Sequence, residues 1–312
     1  MIKKTVKIGT RGSQLALYQA LRVQEELAST FPGHNFEIEI IKTKGDKILD
    51  VALSKIGDKG LFTKEIENAL LDGRIDLAVH SLKDLPTMLP EKLCLGGVLK
   101  RGEFRDALIS KHGKKLSELN NKDIIATSSL RRRAQLLKYN PEFNIIDIRG
   151  NVNTRLKKMY DGHCDVMVMA AAGLQRLNFG EKITEILEPE VIIPAVSQGA
   201  IAIEIRENDS FIKELTEGVT HNHTLNAVLA ERVFLNKLEG GCQIPIGCYT
   251  KISDNYFSIT GFISRLDGSN FIKDTYSGTL NEAQKIAANL AESFIRKGAK
   301  DILEEIRKHN GI

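Results

Sequence analysis

The chain has 312 residues, 42% of them hydrophobic, and a formal net charge of +4. That length suits two or three domains of roughly 100–200 residues, and the apolar content excludes intrinsic disorder. The small net charge argues against a nucleic-acid coat, and no run approaches the ~20 apolar residues of a membrane span.

Residues 6–10 predict a short strand, Arg11-Gly12-Ser13 a turn, and residues 14–30 a helix. Residues 36–43 alternate as a second strand, which completes a βαβ opening with a serine at the helix N-terminus. Lys55-Ile56-Gly57-Asp58-Lys59-Gly60 reads as a basic loop. Residues 65–71 predict a helix with two acids in its first turn, where the macrodipole favours them. Residues 75–80 form an apolar run of the buried parallel type, which delivers Ser81, Lys83 and Asp84 just past its end. From about Arg105 the pattern restarts, with strands over 124–126, 144–148 and 165–170. Thr127-Ser128-Ser129 reads as the cap of a helix reaching Leu137, and Arg149-Gly150-Asn151 precedes a helix reaching about Tyr160. Residues 201–205 read as a returning strand after Pro194-Ala195-Val196-Ser197-Gln198-Gly199. Two crossings, near 99–104 and 194–199, imply two lobes with hinges and a cleft between them. Then come a helix over 225–238, strands over 257–263 and 271–276, and a helix capped by Asn281 and closed by Gly298. Its apolar positions Ile286, Leu290 and Phe294 repeat at helical spacing. The expected fold class is α/β, with lobes at 1–99 plus 200–217 and at 105–193, followed by a small α+β domain at 222–312.

Cys242 is the most informative residue. In Glu239-Gly240-Gly241-Cys242-Gln243-Ile244-Pro245, two glycines permit a turn and Pro245 stiffens the exit. That pattern presents a thiol at an exposed bend, as a nucleophile or an attachment point. Cys94 and Cys164 lie in apolar contexts and are expected to be buried; Cys248 opens a strand. No Cys-x-x-Cys or His-x-x-x-His spacing occurs, so no zinc site is expected. Few cysteines in a large chain suit a reducing compartment, and residues 1–9 carry no apolar leader, so a soluble cytoplasmic protein is expected.

Arginines recur where strands give way to helices. Thr127-Ser128-Ser129-Leu130-Arg131-Arg132-Arg133 opens a helix after a strand, where free N–H groups and the macrodipole attract anions. Arg149-Gly150-Asn151-Val152-Asn153-Thr154-Arg155 repeats the pattern, and Arg11-Gly12-Ser13 is a third instance. Guanidinium forks suit carboxylates, and ligands of open α/β sheets collect at strand C-termini. Arg133 reads as an ordinary surface residue. Leu85-Pro86 closes the turn that carries Lys83-Asp84 and fixes a carboxylate among cations. Such a group stays ionised and suits a cationic intermediate or an N–H group. Asp46 is either a second acceptor or a turn former, Lys55 and Lys59 either a lid or a solvated loop, and His80 a core residue. Gly199, in Gln198-Gly199-Ala200, allows close backbone approach at a hinge. A non-catalytic two-lobed binding module for a small anion fits the strand-end sites but leaves the Cys242 loop without a role. Nucleic-acid binding is disfavoured by the low charge and the scarcity of aromatics beside the arginine runs.

Six blocks together resemble the porphobilinogen deaminase, or hydroxymethylbilane synthase, family. They are Thr10-Arg11-Gly12-Ser13-Gln14-Leu15-Ala16, Val79-His80-Ser81-Leu82-Lys83-Asp84-Leu85-Pro86, Thr127-Ser128-Ser129-Leu130-Arg131-Arg132, Arg149-Gly150-Asn151-Val152, Pro194-Ala195-Val196-Ser197-Gln198-Gly199-Ala200, and Glu231-Arg232 through Gly240-Gly241-Cys242-Gln243-Ile244-Pro245-Ile246-Gly247. The resemblance implies two lobes like those of periplasmic-type binding proteins and a third domain that carries the cofactor cysteine. It implies a dipyrromethane cofactor joined to Cys242 by a thioether. Four porphobilinogen units are then condensed with loss of ammonia, and water releases a linear tetrapyrrole, 1-hydroxymethylbilane, destined for uroporphyrinogen-III synthase. A cytoplasmic monomer is implied. Asp84 is the implied catalytic carboxylate. Lys83, Ser129, Arg131 and Arg132 are the implied cofactor contacts, with Asp46 counted among them. Arg11, Arg149, Arg155 and Arg176 are the implied contacts to substrate or chain carboxylates, assisted by Ser13, Lys59 and Gln198. Each pyrrole carries two carboxylates, so elongation adds negative charge, which accounts for the supply of arginines. Ser197 departs from the glycine expected there, and Cys248 is no family hallmark.

Overall fold

The computed structural model describes residues 4–47, 60–238 and 244–310. In chain order, β1 (Thr5–Thr10), α1 (Gln14–Thr30), β2 (Asn35–Ile40), α2 (Lys44–Lys47), α3 (Lys64–Leu71), β3 (Leu77–Ser81) and β4 (Leu93–Val98) come first. Next are β5 (Asp106–Ser110), β6 (Ile124–Ala126), α4 (Leu130–Tyr139), β7 (Asn144–Ile146), α5 (Val152–Tyr160), β8 (Val166–Ala170), α6 (Ala171–Arg176) and β9 (Glu185–Leu187). The remainder is β10 (Ile201–Arg206), α7 (Ser210–Gly218), α8 (Asn222–Lys237), β11 (Ile246–Ser253), β12 (Tyr256–Ile263), β13 (Ile272–Thr279), α9 (Ala283–Arg296) and α10 (Ala299–Asn310). The chain divides into two compact units, the first drawing on residues up to 102 and on 199–226, the second on 103–198 and on residues from 227 onward.

The first unit holds a five-stranded sheet in the order β2-β1-β3-β10-β4. Its first three strands run parallel, and β10 enters antiparallel to both β3 and β4. The second unit repeats the plan as β7-β6-β8-β5-β9, with β5 as the antiparallel strand. It also holds the three-stranded antiparallel sheet β11-β12-β13. Two mixed α/β sheets and a separate α+β layer match the expected fold class.

Local chemistry accounts for the elements. The Ser13 Oγ accepts from the Ala16 N–H at 3.3 Å and so caps α1. Ala20, Val23 and Leu27 recur at helical spacing on the buried face of that helix and join a core with Val6, Ile8, Leu77 and Ile203. Full burial of one such leucine contributes about 2 kcal/mol. In the C-terminal layer, Phe234 meets Phe294 edge-on at 5.2 Å between ring centroids. A Cβ on Gly261 would lie 2.5 Å from the Phe234 ring, so β12 needs glycine there.

Some expectations fail for identifiable reasons. β2 ends at Ile40 rather than at 43, because α2 begins at Lys44 and its backbone N–H is taken by the Glu65 carboxylate at 3.0 Å. Asn281 does not cap α9; it lies inside a 3-10 turn (Leu280–Glu282) that Thr279 precedes, and its Oδ1 accepts from the Thr279 hydroxyl. β4, β5, β9 and β11 were not foreseen as complete strands. Cys164 is buried as expected, whereas Cys94 is only half-buried.

His80 is a core residue, as expected, and its ring contacts a buried carboxylate. Its Nε2 lies 3.1 Å from the Glu204 carboxylate, both groups being almost fully buried. Glu67 on α3 is also buried: burial pushes its carboxyl up, the nearby Thr63 side chain opposes the shift, and Glu204 reinforces it. A carboxyl raised on folding stabilises the protein below its unfolded pKa, and that benefit is lost as pH rises through the folded value. Glu67→Gln is therefore expected to raise the melting temperature at about pH 8, and the gain should vanish as the pH falls toward about 4; thermal melts across that range check this.

Ser197 has φ of 61°, in the left-handed region, and is 1% exposed. Its N–H donates to the Glu231 Oε2 at 2.7 Å, a bond that glycine keeps. Relief of roughly 1–2 kcal/mol of backbone strain outweighs the ~0.4–1 kcal/mol that glycine adds to unfolded-chain entropy. Ser197→Gly should stabilise the protein by about 0.5–1 kcal/mol in urea unfolding.

Candidate active site

In the first unit, the parallel strands end at the residues singled out by sequence. β1 runs into Arg11 and Ser13; Arg11 lies 4.1 Å above the Phe62 ring, a cation–π contact. Gly45 of α2 packs against the same ring, and a Cβ there would lie 2.2 Å from it. The backbone of Asp46 therefore belongs to a helix held on residues 61–65. β3 ends at Ser81 and passes into a 3-10 turn (Leu82–Asp84). That turn is pinned by the Leu82 N–H to the Ala200 carbonyl at 3.0 Å and by buried Leu82 itself. Ser81 exchanges hydrogen bonds with Gln19 of α1 at 2.8 and 3.2 Å, which ties this turn to the helix that Ser13 caps. Lys83 is half-buried and Asp84 exposed.

In the second unit, Ser129 caps α4 and Asn151 caps α5. The Ser128 hydroxyl donates to the Ile148 carbonyl at 2.6 Å and accepts from the Ile148 N–H at 3.0 Å. It thereby joins the exits of β6 and β7. Arg155 Nε donates to the Gly150 carbonyl at 2.8 Å, and Lys158 donates to that of Arg149 at 3.2 Å. Gly150 has φ of 115°, a turn that closes over Thr154. Arg176 ends α6 and is half-buried.

Arg131 and Arg132 differ from the expectation of open clamps at a helix N-terminus. They are 4% and 7% exposed and share the carboxylate of Asp106, which is fully buried. Arg132 Nε and Nη2 reach the Asp106 Oδ1 at 3.0 and 2.7 Å, and its Nη1 donates to the Val168 carbonyl at 3.1 Å. Arg131 Nη1 lies 2.8 Å from the Asp106 Oδ2 but aims its N–H at the Ile193 carbonyl, 2.5 Å away. Gln198 is also buried; it donates to the Asp106 Oδ1 at 3.0 Å and to the Phe104 carbonyl at 2.8 Å. Gln198 was expected as a hinge contact to substrate, and the structure places its amide in this network. Burial pushes the Asp106 carboxyl up, yet Arg131 and Arg132 outweigh it and hold the group far below the usual carboxylate range. Burial lowers the Arg131 pKa, with Asp106 opposing.

Beside this cluster begins the strand that follows the cysteine segment. A Cβ on Gly247 would lie 2.4 Å from the Pro194 carbonyl and 3.1 Å from the Arg131 Cδ. Glu231 of α8 binds Ser197 N–H with one oxygen and the Thr250 hydroxyl of β11 with the other, at 2.7 and 2.9 Å. Cys242 and Lys59 lie outside the described residues, as does the side chain of Asp46.

Two family models match the chain: "Porphobilinogen deaminase, dipyromethane cofactor binding domain" over residues 6–214 and "Porphobilinogen deaminase, C-terminal domain" over 225–296. The chain belongs to the porphobilinogen deaminase family. Its relatives include the porphobilinogen deaminases of Carboxydothermus hydrogenoformans, 50% identical over 98% of this chain and 99% of that one, and of Desulforamulus reducens, 49% identical over the same shares. That of Nostoc sp. is 48% identical over 97% of this chain and 95% of its own. Among solved structures, the BenM effector binding domain with benzoate shares 17% identity over 70% of this chain and 91% of its own, with a TM-score of 0.42.

The family's activity is hydroxymethylbilane synthesis, a transferase reaction of porphyrin and heme biosynthesis with porphobilinogen as substrate and a dipyrromethane cofactor. The non-catalytic anion-binding reading gives way to it. The residues fit such a cofactor: two buried guanidiniums against one carboxylate leave a net positive charge, which acetate and propionate groups complement. Sequence reasoning missed Asp106 and gave Glu231 no role. Asp106 opens an otherwise apolar run, Ala107-Leu108-Ile109, and a charge beside such a run demands a partner.

Proposed function

We propose that this chain condenses four porphobilinogen molecules, one at a time, onto a dipyrromethane primer tethered through the Cys242 sulfur, and releases the tetrapyrrole with water. The observation that supports this reading is the buried Asp106–Arg131–Arg132 cluster packed beside Gly247, on the strand that follows the cysteine segment. Lobes at 1–99 with 200–217 and at 105–193, and an attachment domain at 222–312, are the domains this reading assigns.

When bound, the cofactor would supply the free pyrrole carbon that receives the first unit, and each later unit would add to the pyrrole before it. This chain's residues do the rest. Arg131, Arg132, Ser129 and Lys83 hold the primer's acetate and propionate groups, with Asp46 an added acceptor. Arg11, Arg149, Arg155 and Arg176 receive the carboxylates of incoming substrate and of the lengthening chain, with Ser13 and Lys59 assisting. Planar guanidinium forks suit these groups and keep their charge as anionic units accumulate. Asp84 sits on a short turn whose backbone is pinned through Leu82, so its position on the chain is fixed before the reaction begins. It faces the positive charge that develops on the substrate's aminomethyl carbon as ammonia leaves, and it accepts from the pyrrole N–H. The product passes to uroporphyrinogen-III synthase, and the protein works as a cytoplasmic monomer.

Intact mass under denaturing conditions should show an excess equal to two linked pyrrole units. Cys242→Ser should lack it and be inactive; a bare chain from active wild-type protein would sink the tether. Asp84→Asn should keep its circular dichroism spectrum and its pyrrole mass while turnover falls by about 10²–10³. Turnover near wild type would remove Asp84 from the chemistry.

A further inference from the structure

We propose that Asp106 is a positioning residue for the primer: it is the internal counter-ion that sets the planes of Arg131 and Arg132 and trims their joint charge to one net positive. This rests on the reading that these arginines hold the primer's carboxylates. Three observations carry it.

First, Asp106 is rigid. It is the first residue of β5 and lies in register with Ala170 of β8 on one side and Leu187 of β9 on the other. Its carboxylate is fully buried. Second, all three nitrogens of the Arg132 guanidinium are engaged within the fold, two by Asp106 and one by the Val168 carbonyl. The plane of that fork is fixed before any ligand arrives. Third, the two arginines are held unequally. Arg131 makes an ionic contact to Asp106 Oδ2, and that oxygen accepts no aligned hydrogen bond among the described residues. Its N–H goes instead to Ile193, a residue that Gln135 of α4 also holds from both sides, through Ile193 N–H at 2.8 Å and Ile193 carbonyl at 3.0 Å. Gln198 buttresses Asp106 by donating to its Oδ1.

The charge balance follows directly. Arg131 and Arg132 bring two positive charges, Asp106 one negative, and Gln198 none. One net positive charge suits one primer carboxylate. Without Asp106 two guanidiniums would repel each other in a desolvated place and lose their common reference plane.

The test follows primer acquisition by bare chain. Wild type, Asp106→Asn and Gln198→Leu are produced in cells that make no porphobilinogen, then incubated with porphobilinogen well below each protein's own melting temperature. Gain of the two-pyrrole mass is followed by denaturing mass spectrometry. Folded Asp106→Asn should acquire the primer at least ~10-fold more slowly than wild type, the cost of a lost charge-assisted contact. Gln198→Leu, which keeps the charge, should be slowed about 3-fold. A purely structural Asp106 would lower the melting temperature and leave the loading rate of folded protein unchanged, and that result overturns the proposal. Should Asp106→Asn fail to fold, Gln198→Leu decides: a wild-type loading rate overturns the proposal and slowed loading supports it. Wild type that never gains mass removes the tethered-primer reading and this inference with it, whereas loaded wild type beside equally loaded Asp106→Asn removes only the inference.

Discussion

A single carboxylate shared by two buried guanidiniums organises the second unit. Asp106, Arg131 and Arg132 come from β5 and from the first turn of α4, and none is more than 7% exposed. Desolvating three charges is costly, and good geometry offsets it, with Arg131 also donating to the Ile193 carbonyl and Arg132 to the Val168 carbonyl. Removing one partner of such a group costs about 3–5 kcal/mol, because a charge is left buried and uncompensated. Around it, β5 is held antiparallel between β8 and β9, the Ile193 carbonyl is fixed by Arg131 and Gln135, and Gly247 sits against Pro194. The start of the C-terminal sheet thus rests on the same residues that orient the arginines.

The first unit solves a different problem, that of presenting a charge rather than burying one. Asp84 stays exposed on a three-residue turn whose neighbours are anchored: Leu82 is buried, its N–H is taken by Ala200, and Ser81 is tied to Gln19. Beneath that turn, the His80 Nε2 meets the Glu204 carboxylate at 3.1 Å inside the sheet. At the β1 end, Arg11 stacks on the Phe62 ring.

Much of this was legible beforehand where the signal is local. The turns at Arg11-Gly12-Ser13, Thr127-Ser128-Ser129 and Arg149-Gly150-Asn151 mark helix starts that the structure reproduces, with the last residue of each as the cap, because a capping side chain bonds within three residues of itself. The apolar run before Ser81 forms a strand because β1 and β10 flank it. Short strands such as β9 left no trace, since three residues carry too little periodicity and are strands only through pairing with β5. Asn281 misled because Thr279 two residues earlier supplies a competing turn.

The sequence by itself determined the family, the two α/β patterns with a separate C-terminal layer, and which residue types stand at strand ends, since motifs and periodicity are properties of neighbours along the chain. Only the tertiary structure decided what those residues do with their charge. Arg131 and Arg132 are adjacent to each other in sequence, but Asp106 precedes them by some 25 residues in the chain and meets them only because β5 folds back beside β8. Gln198 likewise leaves a segment read as a hinge and joins that carboxylate. Burial and pairing depend on distances through space, and a single chain read in order carries no measure of them.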